Sequence, residues 1–283
     1  MQRIFAFTPS YYEIAGFRLL VQCEKDARVI FGPDIMNTFS VTQFIESPDF
    51  ILTIVSSLEG SNDMSMPYVF YRDGDLIMDY SSESEKLILI SDNSWKNWKL
   101  YNTLRNNNID DWFAKLGNLF SWSVLSLDAF VLHGVILEWH GKGIVLTAAS
   151  GVGKTTHARL WRKYENALII NGDRVLLRKE KETWYAYGIP WSGSSGECVN
   201  RKIALHVIVF LSQGEKNTVN FVKPAEALSN LMPRVIAPPR NINSQTTALD
   251  LSIQCLEKVP AIHLQCRPDE ESVNILKEAI LKI

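Results

Sequence analysis

The chain has 283 residues, room for one large domain or two smaller ones with a substantial core. Its 29 basic and 31 acidic residues nearly cancel, which argues against a nucleic-acid partner or a membrane surface, and 46% hydrophobic residues mark a globular chain. Cys23, Cys198, Cys255 and Cys266 lack metal-ligand spacing and read as reduced thiols of a cytoplasmic protein. No stretch is as long as a membrane span, and Glu13 interrupts the N-terminus before any secretion signal could form.

Residues 1–108 are predicted to form a mostly β accessory domain. Tyr68–Tyr71 and Leu76–Met78 flank Asp73-Gly74-Asp75, a hairpin signal. Lys86–Ile90 and Trp95–Tyr101 read as further strands. No cluster of acids or histidines stands beside a glycine-rich loop here, so this half is expected to recognise the acceptor or to hold a homo-oligomer together.

After Asn106-Asn107-Asn108, a helix is predicted from Asp110 to about Leu125. Trp112, Phe113, Leu116, Phe120 and Val124 share one helical face, and Asp110 and Asp111 suit its N-terminus. It is read as the lead into a second domain, 109–283. There Phe130–Trp139 and Gly143–Thr147 are expected to pair around His140–Gly143. A glycine-rich loop and a helix follow, then a buried strand, Ala167–Ile170, ending in Asn171-Gly172-Asp173. Arg174–Lys179 and Thr183–Ile189 form a further hairpin, and Trp191–Glu197 is a loop of small residues. Strands at Ile203–Leu211 and Val219–Val222 precede helices at Ala225–Leu231 and Ser244–Glu257. Ala261–Leu264 is a last strand. Pro268, Asp269, Glu270 and Glu271 open a final helix whose core face is Val273, Leu276, Ile280 and Ile283. The fold class is therefore α+β or α/β.

The chemistry concentrates in Ala148-Ala149-Ser150-Gly151-Val152-Gly153-Lys154-Thr155-Thr156. An apolar strand precedes it and a helix follows, the context that a phosphate-binding P-loop requires. Gly151 and Gly153 let backbone N–H groups point inward, so Ser150 to Thr156 can wrap a polyphosphate at a helix N-terminus. Lys154 supplies charge to the β- and γ-phosphates, and the Thr155 hydroxyl is the expected Mg2+ ligand. Asp173, delivered by an apolar strand, is placed to hold metal or water beside that loop.

Leu132-His133-Gly134-Val135, the fifteen positions from His133 to Ala148, and the loop through Thr155 resemble HPr kinase/phosphorylase. More specifically they resemble HPr-kinase-like proteins, related to the nucleotide core of phosphoenolpyruvate carboxykinase. Gly172-Asp173-Arg174, Asn200-Arg201-Lys202 and Cys266-Arg267-Pro268-Asp269-Glu270 extend the resemblance over about residues 130–283. It implies ATP, a divalent metal and transfer to a hydroxyl, typically of a protein serine. It places His133 next to the phosphates, to orient substrate or phosphate; a hydrogen-bonded histidine in a hairpin is the plainer alternative.

The family carries two adjacent aspartates that divide metal binding and proton abstraction, and here Gly172 takes the place of one. Asp173 must do both jobs or be helped, with Glu197 the nearest candidate in a loop that could close on substrate. Glu197 reads equally well as a solvated acid. The family's metal-binding glutamate before that loop is absent, with Tyr185 or Tyr187 roughly in its place, which implies a one-way kinase. Arg201 and Arg240 are candidates to neutralise the transferring group, and equally plain surface cations.

The reading is a Mg·ATP-dependent kinase acting on Ser or Thr of a peptide or small protein, with a ribosomally made precursor peptide among the candidates. A small-molecule hydroxyl kinase and a nucleotide-binding regulator without transfer activity are the alternatives.

Overall fold

A computed structural model describes residues 9–24, 34–55, 68–81, 86–102 and 109–283. The chain is a mixed α/β protein that divides into two compact units, Met1–Ser123 and Val124–Ile283.

The first unit contains β1 (Ser10–Ile14), β2 (Phe17–Cys23), β3 (Ser40–Val41), β4 (Phe50–Val55), β5 (Tyr68–Arg72), β6 (Asp75–Asp79), β7 (Leu87–Ser91), β8 (Asn97–Asn102) and helix α1 (Ile109–Ser123). Its eight-stranded sheet runs β3-β1-β2-β4-β8-β7-β6-β5. The predicted hairpin is β5–β6, closed by Asp73 and Gly74 at φ 53° and 92°, the left-handed pair a two-residue turn needs. Trp112, Phe113, Leu116 and Phe120 of α1 are buried, as their spacing predicts.

Phe120 meets Phe17 and Phe50 edge-on at 6.4 and 5.9 Å, so α1 completes the core of the first unit. Burying each such ring contributes about 1.5–3 kcal/mol. The boundary expected at 108/109 thus falls at Ser123/Val124, because the helix read as a lead into the second domain packs on the first sheet. Asn106–Asn108, from which the helix was expected to follow, lie outside the described residues, as do the side chains of Asp110 and Asp111.

The second unit contains β9 (Ala129–His133), β10 (Val135–Trp139), β11 (Lys142–Thr147), α2 (Lys154–Glu165), β12 (Leu168–Asn171), β13 (Arg174–Glu180) and β14 (Thr183–Tyr187). It continues through β15 (Lys202–Gln213), β16 (Thr218–Val222), α3 (Pro224–Leu231), α4 (Ile242–Leu256), β17 (Ala261–Cys266) and α5 (Glu270–Ile280). A nine-stranded sheet runs β12-β10-β11-β15-β14-β13-β9, with β17 joined to β15 and β16 to β17. Strands β11, β15 and β17 are parallel to one another. Both faces are covered, which is why β11 reads as a continuous apolar run. Val145, Ile208 and Phe210 pack with Ala248 and Leu251 of α4 on one face. Leu146, Val207 and Val209 pack with Trp161 of α2 and Leu276 of α5 on the other.

The strand expected over Phe130–Trp139 is broken at Gly134, where β9 leaves to pair with β13 and β10 pairs with β11 and β12. A β-carbon at Gly134 would stand 3.0 Å from the Leu146 carbonyl oxygen, so only glycine fits this crossing easily. The β10–β11 loop is shorter than expected: Trp139 pairs with Lys142 around His140 and Gly141, at φ 47° and 73°. Asp269 caps α5 by accepting from Ser272 N at 3.0 Å. Ile283, expected in the core, is 38% exposed because α5 ends at Ile280. Among the described residues no helix is long and apolar enough to cross a membrane.

Candidate functional site

Strand β11 ends at the buried Thr147, and seven residues later Lys154 opens α2. Between them Gly151 and Gly153 adopt φ 78° and 116°, and a β-carbon on either would meet nothing within 4 Å. Backbone conformation, not crowding, requires glycine there. Gly153 is the N-cap of α2 and no side chain caps this end, so the helix presents its first-turn N–H groups to an incoming anion. Ser150, Val152, Thr155 and Thr156 lie along this loop and first turn, with Ser150 and Thr156 exposed. Lys154 folds back over the loop, its Nζ donating to Ala148 O at 3.1 Å and Ala149 O at 3.3 Å. Desolvation lowers the Lys154 pKa, with Asp173 opposing and Arg234 reinforcing that shift.

Asp173 is held by a residue whose role the sequence did not reveal. The buried Asn171 accepts through Oδ1 from Asp173 N and Arg174 N, both at 3.0 Å, and donates through Nδ2 to Ile189 O at 2.6 Å. This is an Asx turn locked from behind, and it fixes the backbone that carries the carboxylate. Gly134 N donates to Asp173 O at 2.9 Å, and Thr147 Oγ1 donates to His133 O at 2.7 Å. His133 pairs with Arg174 in the β9–β13 register. The ends of β9, β11 and β13 are thereby tied together, and His133, Asp173 and Lys154 share one electrostatic field. The His133 ring is exposed, yet the protein around it displaces enough water to lower its pKa; Asp173 opposes, while Arg174, Lys154 and Arg234 act in the same direction. Near neutral pH the imidazole is uncharged and able to accept a proton.

The remaining candidates separate. Glu197 pairs with Arg162 of α2, and its backbone oxygen accepts from Gly172 N at 3.1 Å. Its loop is packed rather than free: Ser192 is buried, and Ser195 Oγ donates to Ser192 O at 2.6 Å. A β-carbon at Gly172 would stand 2.1 Å from Ser195 Oγ, so a second aspartate cannot enter without displacing that loop. Arg201 pairs with Glu138, opposite Gly143 at the far end of β11, and does not join the loop. Arg240 is exposed, in a left-handed turn before α4. The arginine that belongs with Lys154 and His133 is Arg234, brought there by the Leu132–Val235 bridge and the bond from Ile236 N to Val131 O at 2.8 Å.

No group of three or more His, Cys, Asp or Glu side chains gathers as a metal site among the described residues. Mg2+ does not require one, since beside a nucleotide it takes one or two protein oxygens, phosphate oxygens and water. Thr155 and Asp173 each carry side-chain oxygen of the kind Mg2+ takes.

No family model matches the chain, and no curated protein does. Among solved structures it is similar to the Hpr(Ser) kinase/phosphatase from Coxiella burnetii, with 12% identity and a TM-score of 0.33, over 54% of this chain and 97% of that one.

Proposed function

We propose that the chain is a Mg·ATP-dependent kinase that transfers the γ-phosphoryl group to a hydroxyl, the acceptor being Ser or Thr of a peptide or small protein. The observation that carries this reading is Lys154 folded over the Ala148 and Ala149 carbonyls, at the uncapped start of α2 and in the field of Asp173. In this reading Lys154 and the loop amides from Ser150 to Thr156 hold the phosphates. Thr155 and Asp173 would hold Mg2+, which supplies charge neutralisation when bound. Asp173 or neutral His133 takes the acceptor proton, and Arg234 offsets charge on the transferring group. Phosphoryl transfer asks for positioning and charge stabilisation more than covalent chemistry, so this sparse set suffices. The first unit recognises the acceptor or holds a homo-oligomer together.

Incubating the protein with γ-labelled ATP, Mg2+ and a pool of Ser- and Thr-containing peptides tests the reading. Label should pass to a peptide hydroxyl. Label that never leaves a tightly bound ATP would favour the rival reading, a nucleotide-binding regulator, which the crowding at Gly172 and the resulting lone carboxylate favour.

A further inference from the structure

A cavity of about 270 Å³ opens beside the start of the glycine-rich loop. Thr147 and Ala148 form one wall, Phe210, Leu211, Ser212 and His263 the sheet side, and Glu226, Asn230 and Arg234 the rim from α3 and the turn after it. Pairing sets Thr147 opposite Phe210 and Phe210 opposite His263, so these side chains stand side by side on the face that packs against α3 and α4. Helix α2 covers the other face.

We infer that this cavity is the acceptor subsite and takes a seryl or threonyl residue with its neighbouring peptide groups; the inference rests on the kinase reading above. Four observations point there. Lys154, which in that reading holds the β- and γ-phosphates, lies over Ala148 and Ala149, so the Ala148 wall adjoins the end where transfer occurs. Arg234 lies on the rim and also acts electrostatically on both Lys154 and His133. The volume is about nine waters' worth at roughly 30 Å³ each, and falls just below the ~300 Å³ at which drug-sized ligand sites begin. It has room for one residue and its flanking amides, and none for a folded partner. Asn230 offers both a donor and an acceptor to a peptide group, and Ser212 Oγ hydrogen-bonds His263 Nε2 at 2.9 Å, a second polar pair beside the apolar floor of Phe210. In the transfer, the acceptor oxygen bonds to the γ-phosphorus as the bond to the β–γ bridging oxygen breaks. That oxygen keeps the electron pair and departs with ADP, and the hydroxyl proton passes to Asp173 or His133.

The test uses the full chain, Mg·ATP labelled at the γ-phosphate, and two probes, N-acetyl-L-serinamide and free L-serine. Asn230→Trp fills the mouth from an exposed position, and Ser212→Leu fills the interior if the first variant folds poorly. The capped serine should be phosphorylated. The blocked variant should lose at least tenfold in kcat/KM for it, while the Kd for Mg·ATP moves less than twofold. Wild-type kcat/KM in both variants would overturn the assignment, as would equal losses of acceptor and nucleotide, which would place the cavity in the nucleotide site. Transfer to free serine but not to the capped form would overturn the peptide source. A protein that hydrolyses ATP yet labels neither probe sinks the subsite alone; one that never binds ATP sinks the kinase reading and the subsite with it.

Discussion

Gly193 lies so close to Asp173 that a β-carbon on the glycine would stand 2.7 Å from the carboxylate carbon. The small-residue loop therefore packs on the one acid of the candidate site, and the absence of a side chain at Gly193 keeps that acid where Asn171 aims it. Gly193→Ala adds a clash to a left-handed residue, φ 57°. It should lower kcat for phosphoryl transfer by at least tenfold, about 1.4 kcal/mol, with a smaller change in Mg·ATP affinity. Steady-state kinetics alongside nucleotide titration separate the two effects.

Lys154→Ala should abolish transfer and weaken nucleotide binding while leaving the fold intact. The ammonium bonds to loop carbonyls and is only half-buried, so it serves the loop and its ligand and not the core. Nucleotide titration and far-UV circular dichroism check both halves of the expectation.

Glu197→Gln should cost less than about tenfold in kcat, under 1.4 kcal/mol, because Glu197 is engaged with Arg162 and acts as a tether between α2 and the loop. Arg162→Ala should cost about as much, and the two changes together little more than either alone. A loss in Glu197→Gln as deep as in Asp173→Asn would instead make Glu197 a second catalytic carboxylate.

His157 should make stability fall with acid. It is buried on α2, neither ring nitrogen has a hydrogen-bond partner among the described residues, and burial lowers its pKa to about 4. The unfolded chain takes up that proton near pH 6.5. Between pH 6.5 and 4 the unfolded state thus binds more protons, and stability drops as pH falls, by about 2 kcal/mol from pH 6 to 4.5. His157→Leu should flatten this dependence and raise stability at acid pH. Urea unfolding of both proteins at several pH values reads the difference directly.

The loop was legible because its signal is contiguous: the strand, the glycines, Lys154 and Thr155 fall within fourteen residues and need no tertiary knowledge. Asp173 was legible as the acid after a buried strand, but Asn171, which holds it, read only as the end of that strand. Arg234 was not legible. It reaches the loop because the chain after α3 returns to β9 through Val235 and Ile236, and nothing local in the sequence announces that return. Arg201 and Arg240 were chosen by position in the chain, and the sheet sends the first to the opposite end of β11. The same limit moved the domain boundary. The periodicity of α1 identifies its apolar face but not the sheet that buries it, which Phe17 and Phe50 supply.

The central claim is that Asp173 serves transfer while Lys154 and the loop amides hold the nucleotide. Single-turnover label transfer from γ-labelled Mg·ATP by Asp173→Asn, with nucleotide binding measured on the same sample, tests it most directly. Asparagine keeps the shape and removes the charge that attracts Mg2+ and accepts a proton. The variant should bind ATP and transfer no label to a hydroxyl that the wild-type protein phosphorylates. Transfer at the wild-type rate would contradict the account and move the proton acceptor to His133 or to the substrate itself.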